Sequence, residues 1–434
     1  MKRYKTKLIV TGVIVLIIGL MIGLSTNKKD ISKPTNVKHV TDKPINLSVD
    51  ATSAVVIDAK TGQILGVKNA DKQVPIASQT KMLTAYGVLQ GIKSGKIKWT
   101  TKVPITSKSD LSDQDSHLFS HIAVKAGDKL SVKELYDVMF ANSANDAAFA
   151  LGEFMTPKGK TTQQALQMWA KSLHLTGSQW YNSAGQVNGD AFENQIKSAS
   201  KTAANHATAK QLAMIAKADL ELDSTLRKLS EKMTISYHLT ASYVVTDKTD
   251  YWQLMTQTMP KLSNPNKLVI EGLKTGSTPE SGAAFTGIIK DQNGHEFITV
   301  VNGAGDYMDE KTRFQATLDV VNEVLAKKQG HTFTSNQTIQ KLNFQALKKT
   351  EVPVKLAETK TFWTNKKTQL KLSNLSVDTR LAKLNKNQKI GHISPALDAQ
   401  YLPYTSKTDK QLTVKSGVKG TQANWFVRLW RNLF

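Results

Sequence analysis

Cysteine is absent from all 434 residues of this chain. That one gap excludes disulfide cross-links, Cys-ligated zinc, iron–sulfur clusters and a thiol nucleophile. Acidic residues are scarce beside basic ones. Asp and Glu number 35 against 58 Lys and Arg, for a formal net charge of +23. A surplus of that size points to an anionic partner: nucleic acid, anionic lipid or an anionic polymer. Nucleic acid is the weakest of the three, because the chain has no zinc finger, glycine-rich phosphate loop or aromatic RNA-binding pattern. It also lacks a Gly-x-Ser-x-Gly elbow and a His-Glu-x-x-His metal motif. His295-Glu296 has no second histidine, and the nine histidines are scattered. No metal or organic cofactor is expected.

What is present describes a globular, multi-domain protein. The apolar fraction is 40% and the charged fraction 21%. At about 150 residues per domain, the length allows two or three domains. The N-terminus is basic, with Lys2, Arg3, Lys5 and Lys7. Leu8 to Leu24 then runs 17 residues without a charge. As a helix that run is about 25 Å long, near the minimum for a bilayer. It reads as an export signal or a signal anchor. No Ala-x-Ala-like cleavage site follows Leu24, which favours a retained anchor. The rest of the chain is then expected outside the cytoplasm, at the outer face of the membrane, which also argues against nucleic acid.

The far end carries its own signal. Residues 331–434 hold 18 Lys and Arg against 5 Asp and Glu. Such a surplus suits an anionic membrane surface or wall polymer. In the last ten residues Phe426, Leu429, Trp430 and Leu433 recur at helical spacing, with Arg428 and Arg431 mostly elsewhere. That is the pattern of an interfacial amphipathic helix, too short to span.

Between these ends the chain divides in two. Residues 1–25 are the signal or anchor, and 26–47 a polar linker. Residues 48–328 begin and end in strands. Ala54–Asp58 and Gln63–Val67 form a hairpin through Lys60-Thr-Gly62. Residues 131–174 and 207–233 read as helices, the first opened by the capping box Ser131-Val-Lys-Glu134. Ala283–Lys290 and Glu296–Val301 flank the turn signal Asn293-Gly294. A helix over 312–327 closes the unit, with Phe314, Leu318, Val321 and Leu325 on one face. The predicted fold is α+β: an antiparallel sheet flanked by helices, its first and last segments meeting. Residues 329–340 read as a polar linker, 341–419 as a smaller β-rich domain and 421–434 as the amphipathic helix.

The candidate chemistry is a serine–lysine set. Ser78-Gln-Thr-Lys81 opens an apolar run. At i and i+3 of a helix start the lysine amine can reach the serine hydroxyl. Free N–H groups at that end can also face a developing oxyanion. Alone the motif is weak, since Ser-x-x-Lys recurs at Ser25, Ser198 and Ser416. Order and context select one set. Ser143-Ala-Asn145 falls in a break between helices, and Lys274-Thr-Gly276 precedes the last strand pair. Ser-x-x-Lys, Ser-x-Asn and Lys-Thr-Gly in that order are the signature of penicillin-binding proteins and class A β-lactamases.

The chain resembles the low-molecular-mass penicillin-binding proteins, specifically the serine-type D-alanyl-D-alanine carboxypeptidases. The likeness runs through Ala54–Gly62, Asn69–Asp71, Pro75–Met82, Ser143–Ala147, Gly272–Thr278 and Val300–Ala304 with Arg313-Phe314. The later β-domain, including Lys389-Ile-Gly391, is similar to the family's C-terminal domain. Asn182-Ser-Ala-Gly185 departs from the family, which usually has a histidine–glycine pair there, and Asn205-His-Ala-Thr208 is atypical.

The resemblance implies a β-lactamase/transpeptidase-like catalytic domain and a peptidoglycan stem peptide as substrate, with β-lactams as inhibitors. Ser78 is then the nucleophile, Lys81 its base, Ser143 the proton carrier and Asn145 the residue that holds Lys81 and the substrate amide. Lys274 and Thr275 hold the terminal carboxylate with Gly276 and Ser277 beside them, and Arg313 is a second cation. The backbone N–H groups of Ser78 and Ser277 form the oxyanion hole. Burial and Lys274 are expected to lower the Lys81 pKa. A β-lactamase or transpeptidase on the same scaffold, and a non-enzymatic β-lactam sensor or wall-binding scaffold, are the competing readings.

Overall fold

The computed structural model describes residues 37–433. The expected N-terminal anchor and the first part of the linker lie outside the described residues. The larger domain is built on a six-stranded sheet. Its order is Val269–Thr278, Gly282–Lys290, Glu296–Asn302, Ser53–Asp58, Ile64–Lys68 and Ile45–Asn46. Every pair is antiparallel except the last, which is parallel. First and last segments do meet: Val55 lies opposite Val300 and Val56 opposite Thr299.

The central strand Ser53–Asp58 is buried at every position. Successive side chains of a strand point to opposite faces, so both faces must be covered. Ala54 and Val56 pack with Phe314, Leu318 and Val321 of the closing helix Glu310–Lys327. Val55 and Ile57 pack on the other side with Met82, Leu212 and Ile215. Met82 belongs to the helix Thr80–Lys93, buried at every position from Thr80 to Leu89. That explains why its sequence is apolar all round instead of striped.

Several local expectations hold. Ser131 and Glu134 form a reciprocal capping box at the head of Val132–Ala141. Ser143 falls between that helix and Asn145–Met155. The helical reading of 207–233 resolves into Ala209–Leu222 and Leu226–Ser230. A hairpin that the sequence did not reveal follows, Thr234–His238 against Val244–Lys248.

Two linker expectations fail. Residues 329–340 are not a linker: the closing helix runs straight into strand Lys328–Phe333, and Thr338–Asn343 is another strand. The first pairs with Lys360–Asn365. Its opening residue carries a charge buried in an ion pair, Lys328 Nζ to Asp42 Oδ2 at 2.7 Å, with both side chains buried. Gln329, Gly330, His331 and Thr332 follow, with Phe333 the one large apolar residue of the strand, so hydropathy reads it as loop. Residues 37–47 are not free tether either. Val40–Asp42 lies parallel to Leu397–Ala399, and Ile45–Asn46 joins the main sheet.

The smaller domain is a five-stranded antiparallel sheet, ordered Thr338–Asn343, Glu351–Leu356, Leu412–Ser416, Lys389–Pro395 and Leu372–Val377. Trp363 joins the two units. Its indole nitrogen donates to Asp58 Oδ2 at 3.0 Å, and its backbone N–H and C=O pair with the Gln63 side-chain amide. All three residues are buried, so neither domain can shift without leaving buried polar groups unpaired. Among the described residues no helix is long and apolar enough to cross a membrane.

Candidate active site

Ser78 lies in a tight 3-10 turn, Ala77–Gln79, at the mouth of the buried helix. Ala77 has φ +44°, a left-handed conformation that costs a non-glycine residue energy and is maintained by its surroundings. Ile76 N donates to Asn205 O at 3.1 Å, and Gln79 Nε2 donates to Thr286 Oγ1 of the sheet at 2.9 Å. The turn is thus pinned from both sides, and Ser78 stays partly open to solvent.

Lys81 is fully buried one turn below. Its Nζ lies 2.8 Å from Ser78 Oγ, 2.7 Å from Asn145 Oδ1 and 2.8 Å from the carbonyl of Ala184. Two of these partners can only accept hydrogen bonds, whereas a hydroxyl can also donate. A neutral amine has two N–H groups and one lone pair. It satisfies Asn145 and Ala184 with its hydrogens and presents the lone pair to the Ser78 hydroxyl. Burial, and next the positive Lys274, hold this amine well below the usual lysine range; Asp146 and Asp250 pull the other way.

Lys274, Thr275, Gly276 and Ser277 lie on Val269–Thr278, the edge strand of the sheet. Lys274 is buried, and its pKa is pushed down to about 8, mainly by burial, with Asp250 opposing and Arg313 adding. Gly276 allows the strand to approach the serine turn: a Cβ there would sit 2.7 Å from Ile76 O. Arg313, buried on the closing helix, donates through Nη1 to Ser277 Oγ and through Nη2 to Tyr307 O at 3.3 Å. Ser143 is buried in the break between helices with φ +54°, and it is not one of the three partners of Lys81.

The sequence did not reveal the part played by 182–185. The atypical Asn182-Ser-Ala-Gly185 supplies the Ala184 carbonyl on Lys81. Asn182 Oδ1 accepts from Gly185 N at 2.9 Å and Gln186 N at 3.1 Å. Asn205 Nδ2 donates to Asn182 O at 2.8 Å and to Thr80 Oγ1 at 2.9 Å. The two segments that depart from the family are therefore bonded to each other and to the serine helix. A backbone carbonyl has no side-chain signature, so only the departure itself could have drawn notice.

A hydroxyl against a buried amine, beside a cationic strand edge, defines a site for acyl transfer through serine. Comparison with known proteins is consistent with it. Residues 37–306 match the model of the D-alanyl-D-alanine carboxypeptidase family. The chain is 25% identical over 396 residues to D-alanyl-D-alanine carboxypeptidase DacF of Bacillus subtilis, covering 87% of this chain and 91% of that one. It is 26% identical over 267 residues to DacC of Escherichia coli, covering 59% of this chain and 57% of that one. A crystal structure of a peptidoglycan synthesis regulatory factor (PBP3) from Streptococcus pneumoniae shares the fold, with TM-score 0.70, 23% identity and coverage of 86% and 100%. The chain belongs to the D-alanyl-D-alanine carboxypeptidase family, the serine-type, penicillin-binding class that its motifs resemble.

Proposed function

We propose that this protein removes the terminal D-alanine from peptidoglycan stem peptides through a Ser78 acyl-enzyme. The observation that carries the assignment of residues is the three-way bonding of Lys81. Ser78 Oγ attacks the carbonyl of the penultimate D-alanine as its proton passes to Lys81 Nζ. The oxyanion faces the backbone N–H groups of Ser78 and Ser277. The C–N bond breaks as the departing amine takes a proton by way of Ser143. Water then attacks the ester, with Lys81 as base, and Ser78 Oγ recovers its proton. Lys274 is a buried cation that, among the described residues, has no carboxylate in hydrogen-bond contact; its Nζ donates to Thr275 O and Oγ1, at 3.3 and 3.4 Å. A substrate carboxylate would give this cation a direct partner in addition to the nearby charge of Asp250, with Thr275 and Arg313 assisting. A β-lactam enters the same site as a substrate mimic and acylates Ser78.

The test is D-alanine release from an acyl-D-Ala-D-Ala peptide by the full-length protein in detergent. Release is expected without any added amine acceptor, and Ser78→Ala abolishes it together with labelling by a fluorescent penicillin. Release that survives Ser78→Ala overturns the assignment.

The division of labour proposed is a catalytic domain over about 48–328 and a second domain that carries the membrane attachment outside the cytoplasm. Helix Trp425–Leu433 exposes its aromatic residues, Trp425 at 68% and Trp430 at 60%. Arg431 Nη1 secures the helix to Leu347 O at 2.7 Å. Aromatic side chains on a basic helix suit the headgroup layer of an anionic membrane. A fragment of residues 37–434 is expected to bind anionic liposomes, less so with added salt and with Trp425→Ala/Trp430→Ala. Binding by co-sedimentation that ignores both changes sinks the idea.

A further inference from the structure

Asp146 follows Asn145 in the chain and is fully buried. No step of the mechanism above uses it. Its Oδ2 accepts from Ile122 N at 2.9 Å, and its Oδ1 from Ala147 N at 2.7 Å. Ile122 belongs to a strap, residues 120–123, that lies against the head of the Asn145 helix. Ser120 O accepts from Asn145 N at 2.8 Å, and Ala123 N donates to the hydroxyl of buried Tyr237 at 3.1 Å. Both ring nitrogens of His121 face carbonyl oxygens, those of Ile122 and Gln114, each at 3.1 Å. His121 thus ties the strap to residues 114 and 122 beside the buried carboxylate.

We propose that Asp146 is a positioning residue and buried counter-charge for the Ser78–Lys81 pair, locking the strap to the catalytic helix, fixing Asn145 on Lys81 and favouring the ammonium that Lys81 becomes when it takes the serine proton. The inference rests on the Ser78–Lys81 reading above. Two backbone N–H bonds leave the carboxylate short of full compensation, and burial pushes its pKa up to about 7. The ionisable groups around it are His121 on the strap, Tyr237 on the hairpin and Lys81 on the serine helix. Lys81 in turn faces Lys274 on the edge strand, and Asp250. Asp146 and Asp250 favour the charged amine, and Lys274 opposes it. Removing the Asp146 charge therefore makes Lys81 easier to deprotonate and a weaker proton acceptor.

The experiment compares full-length wild type, Asp146→Asn and Asp146→Ala in detergent. The rate of acylation by a fluorescent penicillin is measured against pH. Asp146→Asn keeps an oxygen for Ile122 N and loses the charge. Its acid limb is expected to shift to lower pH by about 0.5–1 unit, with a lower plateau. Asp146→Ala is expected to show the same shift and a lower melting temperature, because Ile122 N loses its acceptor. A purely structural role would lower rate and melting temperature and leave the limb in place, and that result overturns the proposal. A second readout needs no turnover. The 13Cε signal of Lys81, assigned by its loss in Lys81→Met, is titrated in wild type and Asp146→Asn. A downward move in the variant is expected, and an unmoved midpoint overturns the proposal. Wild type that fails to label while this midpoint still moves counts against the enzymatic reading and leaves the Asp146 inference standing.

Discussion

Lys81→Met is expected to slow acylation of Ser78 by about 10³-fold, whether the acyl donor is a D-Ala-D-Ala peptide or a penicillin. Methionine fills similar space, so the helix packing survives. What goes is the lone pair 2.8 Å from Ser78 Oγ and the donors that satisfy Asn145 Oδ1 and the Ala184 carbonyl. The pH dependence gives the sharper test. Only the neutral amine accepts a proton, and a lysine is neutral above its pKa. Burial and Lys274 lower that pKa, so the wild-type rate falls as pH drops through a value well below the ordinary lysine range. The variant's residual rate should lack that acid limb. A limb that persists unchanged in Lys81→Met assigns the base to another group.

Gly185→Ala is expected to damage both stability and activity, although residue 185 carries no chemistry. Its φ is +85°, and a Cβ would fall 2.0 Å from the carbonyl oxygen of Ala77. The two nearest atoms are backbone, the Ala77 carbonyl oxygen and carbon, and Thr80 Oγ1 follows at 2.8 Å, so the worst overlap cannot be relieved by a side-chain rotation. The left-handed conformation and the overlap together should cost about 3 kcal/mol of stability. The displaced parts are the Ala184 carbonyl and the turn holding Ser78, and a shift of about 1 Å there should lower kcat/KM by roughly 100-fold. Thermal unfolding and D-alanine release measure the two effects. Near-normal stability and activity would mean that the 182–186 turn is looser than its hydrogen bonds imply.

Where the sequence selects residues by side-chain identity at short spacing, the structure brings several of them together, with Lys81 against Ser78 and Asn145. Ser78 in the turn lies one turn from Lys81 on the helix it opens, and the order of the three motifs led to Asn145 and Lys274 although each motif recurs or is common. The reading from sequence succeeded where apolar spacing is strong, as in the closing helix with Phe314, Leu318 and Val321 on one face. It failed where identity carries no signal. Ala184 contributes a carbonyl that any residue owns. Asp146 looks like an ordinary acidic residue in the first turn of a helix, and only burial and the strap make it notable. Strand Lys328–Phe333 hides because its charge is neutralised by Asp42, 286 residues away in sequence. The hairpin 234–248 alternates, with Ile235 and Tyr237 inward, but its short polar strands look like loop.

The strand Val40–Asp42 comes first among the described elements yet lies on the second domain, beside Leu397–Ala399. Asp42 is locked there to Lys328. The terminal helix is fastened to the same body through Arg431. Both ends of the described chain therefore make contacts with the second domain. A pull from the N-terminal side meets a parallel ladder and a buried ion pair before it reaches the sheet that carries Lys274. The first strand and the last helix of the described chain thus both attach to the second domain, on the far side of the Trp363 contacts from the edge strand that carries Lys274.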